Sequence, residues 1–347
     1  MSKDSLFNLA DVYYGKSPNG FRSESETEYK MYGTGGVVGF ATKGLFASNG
    51  VVIPRKGSLN NPSYATGEYW VIDTAYAAIP REGIDSKWLY YQLVNFDLSS
   101  LNEATGVPSI SRDWLYKAEF FKTSYEEQQR IVEILSLMDN HIEGVNKLIE
   151  KKKNVKKGII LDLISSKNHD TFIGDIADIL DNLRIPINDE ERQKRGGDVP
   201  YYGANGLQGF IDKPLFNEPL ILIAEDGGNF EQFAERPIAY RISGPSWVNN
   251  HAHILRARDY NQDYLFYALE HMNILNLISG GTRAKLNQGE LKKIKVPSTN
   301  IKEQKRVSDL INLVVDELSS LLMLKEKLIT QKQGLMQDLL TGQVKVS

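Results

Sequence analysis

Four short stretches of the chain carry residue types able to do chemistry. His251 and His253 flank Ala252. On a strand, alternate side chains share a face, so both imidazoles could ligate a metal. No third ligand announces itself in the sequence, and a structural or hydrogen-bonding role is the better reading. Glu225-Asp226, ahead of Gly227-Gly228, could bind a cation, accept a proton, cap a turn or accept from a cytosine amino group. Gly15-Lys16-Ser17 matches the end of a phosphate-binding loop, but Ala10 stands where that loop needs its first glycine. Asn61-Pro62-Ser63-Tyr64 has a serine where amino-methyltransferases have a second proline, and no glycine-rich cofactor motif precedes it. No nucleophile–base set emerges, so neither a catalytic nor a metal-binding residue is assigned.

A second set of residues suits a different task. Reading base edges in DNA needs side chains with fixed donors and acceptors, chiefly Arg, Lys, Asn, Gln, Ser and Thr. Two corresponding loops supply them: Thr105 to Arg112, and Gly280 to Gln288. Glycine lets the backbone approach a phosphate, and the neighbouring basic residues bring charge. Two turns, Tyr32–Gly36 and Tyr202–Gly206, add an aromatic ring and small polar groups. The candidate DNA-binding residues are Tyr32, Thr34, Ser109, Ser111, Arg112, Tyr202, Asn205, Arg283, Lys285, Asn287 and Gln288. The basic run Lys151, Lys152, Lys153, Lys156 and Lys157 reads as a solvated helix face.

The elements that must position these loops occur twice. Glu127-Gln128-Gln129-Arg130-Ile131 recurs as Glu303-Gln304-Lys305-Arg306-Val307, an offset of 176, and Gly158–Ser165 recurs as Gly334–Thr341 at the same offset. Tyr32–Phe40 matches Tyr202–Phe210 at an offset of 170. The chain is thus two copies of one unit, each a variable globular stretch followed by a similar tail. Ile131, Met138, Val145 and Ile159 lie on a seven-residue grid that Lys152 interrupts; Val307, Val314, Leu321, Leu328 and Leu335 fill the same grid in the second tail. Apolar residues three or four positions on complete a seam, the pattern of a coiled coil. Each tail is about 40 residues, roughly 60 Å of helix. Thr123-Ser124 before Glu126-Glu127 forms a helix start. Gly144 costs about 1 kcal/mol against alanine and could admit close helix contact.

One such helix cannot hide its seam, but two can hide each other's. Helix 125–165 is therefore expected to pair antiparallel with helix 301–341, with the globular units at opposite ends of a rod and related by a pseudo-twofold axis. The alternative is that each helix packs on its own globular unit. Strands are predicted at Gly50–Ile53, Tyr69–Ile72, Leu220–Ala224 and Ile238–Ile242, and short helices at Ser86–Phe96 and Tyr260–Leu277. The fold class is α+β, with domains at 1–122 and 168–300 and helical spacers at 123–167 and 301–347.

Composition sets limits. Hydrophobic residues make up 41 %, enough for packed cores. The absence of cysteine excludes disulfides and cysteine–zinc sites. No apolar run is long enough to span a membrane and the start has no signal core, so a cytoplasmic protein is expected. The net charge of −3 is wrong for a protein that holds DNA by overall basicity. Any such role needs local basic patches or partners.

With these features in hand, the chain resembles the specificity subunits of type I restriction–modification systems over essentially its whole length. The resemblance rests on the two Glu-Gln-(Gln/Lys)-Arg helix starts, the two Gly-x-x-x-Asp-Leu helix ends, Val248–Leu255, and Phe172–Asp178. The first unit departs from the pattern, with Asp73-Thr74-Ala75-Tyr76 in place of Asn250-His251-Ala252-His253. The resemblance implies two target-recognition domains, each reading one half of a split site in double-stranded DNA, on helices that act as a spacer. It implies no catalysis in this chain. The expected partners are two methyltransferase subunits using S-adenosylmethionine and restriction–translocase subunits using ATP and Mg2+. A bivalent protein-interaction scaffold without DNA is the alternative.

Overall fold

The computed structural model describes residues 2–280 and 284–346. The chain divides into two compact units, Met1–Lys147 with Met323–Ser347, and Leu148–Leu322. The division runs through the long helices, so each unit holds one globular head and a part of both helices.

The heads share one plan. In the first unit, a four-stranded antiparallel sheet has the order Ala10–Tyr14, Ala75–Pro80, Gly50–Pro54, Ser63–Ala65. The second unit repeats it with Ala177–Ile179, Ala252–Ala257, Leu220–Ala224 and Ala239–Ile242. The inner strands Gly50–Pro54 and Leu220–Ala224 are buried at every position. Alternation then sorts their side chains between two cores. Val51 and Ile53 pack with Trp88 and Leu89, whereas Val52 joins Tyr69 and Val71 on the other face. Ile221 and Ile223 pack with Tyr264 and Leu265, and Leu222 with Val248 and Ile254.

A second sheet in each head is built on a hairpin, Lys30–Gly33 with Gly36–Ala41 and Val199–Gly203 with Gly206–Ile211. Each hairpin is joined by one parallel strand, Tyr69–Val71 or Pro245–Val248. Gly36 and Gly206 sit in the left-handed region at φ 93° and 115°, which lets both tight turns close without side-chain strain. A two-stranded ribbon, Ser2–Ser5 with Glu119–Lys122 and His169–Phe172 with Lys295–Pro297, ties the start of each head to its end.

The expected strands are present within a residue or two. The helix expected over Tyr260–Leu277 is shorter, Gln262–Leu269. Its end is fixed where the Glu270 carbonyl accepts from the Ile238 N–H, which draws the chain out of helical register. The long helices span Tyr125–Ile160, continued by a π-turn at Leu161–Ser165, and Ile301–Leu340.

Both alternatives for these helices hold at once. They run antiparallel in each unit. In the first, Lys332 pairs with Asp139 at 2.5 Å, and Met336, Leu339 and Leu340 share a core with Ile131 and Leu135. In the second, Lys152, the polar member of the grid, pairs with Glu317, and Ile164 shares a core with Val307 and Ile311. Each helix start is also locked to its own head. The Gln128 Oε1 accepts from Asp85 N–H at 2.8 Å while its amide donates to the Gly83 and Thr123 carbonyls. Gln304 does the same with Asn261 N–H, 2.7 Å, and the Thr299 carbonyl. Asp85 and Asn261 are themselves the N-caps of the helices Ser86–Asn95 and Gln262–Leu269. Ser124 and Asn300 cap the long helices. Gly144 does not mediate close contact: a Cβ there would meet nothing within 4 Å.

Candidate nucleic-acid interface

Extending the internal repeat through the strands brings two polar cradles into correspondence. Each forms where the loop after the inner strand meets the loop before a short helix. In the first unit, the Ile110 N–H donates to the Arg55 carbonyl at 3.0 Å, and Lys56 bridges to Ser109. In the second, the Leu286 N–H donates to the Glu225 carbonyl at 2.8 Å, and Asp226 bridges to Lys285. The Tyr76 hydroxyl donates to the Ile110 carbonyl at 3.0 Å, and His253 Nε2 lies 2.7 Å from the Leu286 carbonyl. The backbone frame is one; the side chains on it differ.

The first cradle is cationic and aromatic. The Arg55 guanidinium lies 5.2 Å from the Tyr14 ring centre and 6.0 Å from that of Tyr76. Arg112 covers Tyr14 as well, at 5.1 Å. Stacking on an aromatic face holds a guanidinium plane in place and stabilises it by about 0.5–1 kcal/mol where exposed. Arg55 also donates to the Asp73 carbonyl at 3.3 Å.

The second cradle neutralises itself. Asp181 takes the place of Tyr14, and His253 that of Tyr76; His253 Nδ1 is 2.6 Å from Asp181 Oδ2. Both ring nitrogens thus face oxygen acceptors. Arg184 donates to Glu225 at 2.8 Å and lies 3.6 Å from Asp181. Lys285 pairs with Glu225 at 3.3 Å, and His251 lies 2.9 Å from Asp226. Burial works to raise the Asp181 carboxyl, but the His253 hydrogen bond and the His253 and Arg184 charges outweigh it and hold the carboxyl below its usual range. Asp181, Glu225 and His253 bring ligand atoms within 4.8 Å of one another, a set that leaves out His251. The guanidinium of Arg184 and the ammonium of Lys285 already supply cations there, which makes an ion-pair network the simpler account of the cluster.

The sequence-predicted residues fall into three groups. Ser109, Ser111 and Arg112 lie on the first cradle, and Asn205, Lys285, Asn287 and Gln288 on or beside the second. Asn205 donates to the Gly227 carbonyl, 2.9 Å, Asn287 to Ser279 Oγ, 3.1 Å, and Gln288 to Asp181, 3.2 Å. Ser111 is occupied as the N-cap of Arg112–Lys117, with Oγ accepting from Trp114 N–H. Tyr32 and Tyr202 depart from expectation. Tyr32 is buried edge-on against Tyr69, its hydroxyl pushed up by burial, and half-buried Tyr202 packs beside Tyr240. Thr34 Oγ1 donates to the Thr74 carbonyl. Arg283, with Gly281 and Thr282, lies outside the described residues. Tyr14, Arg55, Lys56, Asp181 and Arg184 were not foreseen. The 170-residue offset of the hairpins, carried forward, pairs Arg55 with Glu225 and would have found two of the positions.

Comparison with known proteins agrees with this duplication. The family model for the type I restriction modification DNA specificity domain matches twice, over residues 4–154 and 166–328. A putative type I restriction enzyme specificity subunit of Haemophilus influenzae is 30 % identical over 142 residues, 40 % of this chain and 35 % of that protein's length. The MjaVIII type I specificity subunit of Methanocaldococcus jannaschii is 23 % identical over 76 % of this chain and 71 % of its own. The fold matches the crystal structure of a type I restriction–modification S subunit from M. genitalium with a TM-score of 0.72, at 20 % identity, covering 98 % of this chain and 96 % of that one. Among the described residues no helix is long and apolar enough to cross a membrane. With both specificity-domain matches together spanning most of its length, the chain belongs to the type I restriction–modification DNA specificity family.

Proposed function

We propose that the two heads read the two halves of a split DNA target, one head per half-site, and that the chain delivers methyltransferase and restriction–translocase subunits to that target. The observation that carries this reading is the pair of cradles: one backbone frame bearing Arg55, Lys56 and Arg112 in the first unit and Glu225, Asp226 and Gln288 in the second. One frame carrying unlike side chains lets each head engage a different half-site, with phosphate contacts and base contacts in different proportion. S-adenosylmethionine, ATP and Mg2+ belong to the partner subunits in this reading, and the assembly works in the cytoplasm on cellular DNA. Apolar side chains on the outer helix faces support partner docking. Leu137 and Met323 are exposed in the first unit, Leu148 and Leu313 in the second.

The test is methylome mapping in cells with and without this chain, in the presence of its natural methyltransferase. Appearance of methylation at a two-part motif, dependent on this chain, is the expected result. No motif in the assembled complex would favour the scaffold reading instead. Replacing Arg283 with alanine is expected to relax one half-site only, by about 1–3 kcal/mol, if that residue reads a base.

A further inference from the structure

The cradles differ in charge balance as well as in residue type. In the second unit the two cations of the cradle among the described residues each face a carboxylate: Arg184 faces Asp181 and Glu225, and Lys285 faces Glu225. In the first unit Arg55, Lys56 and Arg112 make no ion pair among the described residues. Arg55 and Arg112 lie on Tyr14, itself 45 % exposed, and Lys56 is exposed. The Arg112 Nε is buried and has no hydrogen-bond partner. Three cations thus gather on one frame with none of them in an ion pair among the described residues, in a chain whose net charge is −3.

We infer that Arg55, Lys56 and Arg112 hold the DNA phosphate backbone, so that the first unit carries most of the salt-dependent affinity while the second engages its half-site with little counterion release. The inference rests on the DNA-reading function proposed above and adds a division of labour to it. A cation already paired within the protein displaces few counterions when DNA arrives, because its charge is compensated beforehand. An unpaired one displaces nearly a full counterion. The tyrosine platform keeps two of the three side chains ordered before binding, which lowers the entropy cost of closing on a phosphate.

The experiment measures the affinity of the full chain, assembled with its methyltransferase subunits, for its cognate duplex across a potassium chloride series. Lys56→Gln changes an exposed side chain and should leave folding intact, as thermal unfolding will check. It is expected to flatten the slope of log K against log salt by about 0.9, and the triple variant Arg55→Gln, Lys56→Gln, Arg112→Gln by about 2.7. Lys285→Gln is expected to leave the slope within error of the unsubstituted complex. The methylated motif should keep both half-sites in the Lys56→Gln and triple-variant complexes. An unchanged slope in a folded Lys56→Gln complex overturns the inference. So does a relaxed base preference at one half-site, which would make the cluster a base reader. An unsubstituted complex with no split-site preference would instead sink the underlying reading.

Discussion

The two cradles place opposite solutions on one scaffold. Where the first head sets Tyr14 and Tyr76, the second sets Asp181 and His253; where the first has Arg55, the second has Glu225. The backbone bonds that shape both, from Ile110 to Arg55 and from Leu286 to Glu225, are retained. Frame and content are therefore separable. Main-chain hydrogen bonds and buried strands fix where the loops meet, and the side chains there can change sign without moving them. The two contents differ in what they cost to disturb. An aromatic platform with exposed cations tolerates loss of a member, whereas a buried ion network does not.

The largest test of that difference is Asp181→Ala. Its side chain is 7 % exposed, accepts from the Ile254 N–H and faces His253 Nδ1, so its loss leaves both of these buried groups without that acceptor. Denaturant unfolding should show a destabilisation of about 3–5 kcal/mol, against at most about 1 kcal/mol for Tyr14→Ala. Similar values for the two variants would erase the contrast. The same carboxyl gives the second unit an acid limit. Its folded pKa lies below the usual 3.8, so the stability it contributes is present above that value and is lost as pH falls through the lowered one. The stability gap between the parent chain and Asp181→Asn should accordingly narrow on acidification, as followed by unfolding at successive pH values; a constant gap would contradict the network.

A second test asks where the heads are alike. Gln128→Ala and Gln304→Ala each strand a buried N–H and carbonyls at a helix start, so both should cost about 1–3 kcal/mol. Equal losses in the two would show the latch to be part of the shared frame; unequal ones would assign it to the variable content. The smallest effect is expected from Gly144→Ala in the first unit and Gly158→Ala in the second. Each new Cβ would meet nothing within 4 Å, so each should stabilise by about 1 kcal/mol, read from thermal unfolding.

The frame was legible in sequence because it repeats. The offsets of 176 and 170 carried the two heads and both long helices, and the heptad grid carried the pairing of those helices. The content was only half legible. Lys285 and Gln288 stood out as side chains suited to DNA, but their partners did not. Asp181 reaches His253 across 72 residues of chain and Gln288 across 107, and no local pattern links them. Tyr32 misled because an aromatic in a glycine turn fits a ligand platform and a core wedge equally well; burial decided for the core. The helix beyond Leu269 was over-extended because its stop is a tertiary bond from Ile238, which has no signature at Glu270 itself.

The glutamine latch bears on how such heads could be exchanged between proteins. Its donors and acceptors straddle the junction, with the amide on the long helix and the caps Asp85 or Asn261 in the head. A transplant cut just before Tyr125 would pair a foreign head with a resident Gln128 and depend on the fit of two surfaces that had never met. Cutting one helical turn later moves lock and key together, and leaves the packing of the head on Ile131, Leu135 and Leu340 to be matched.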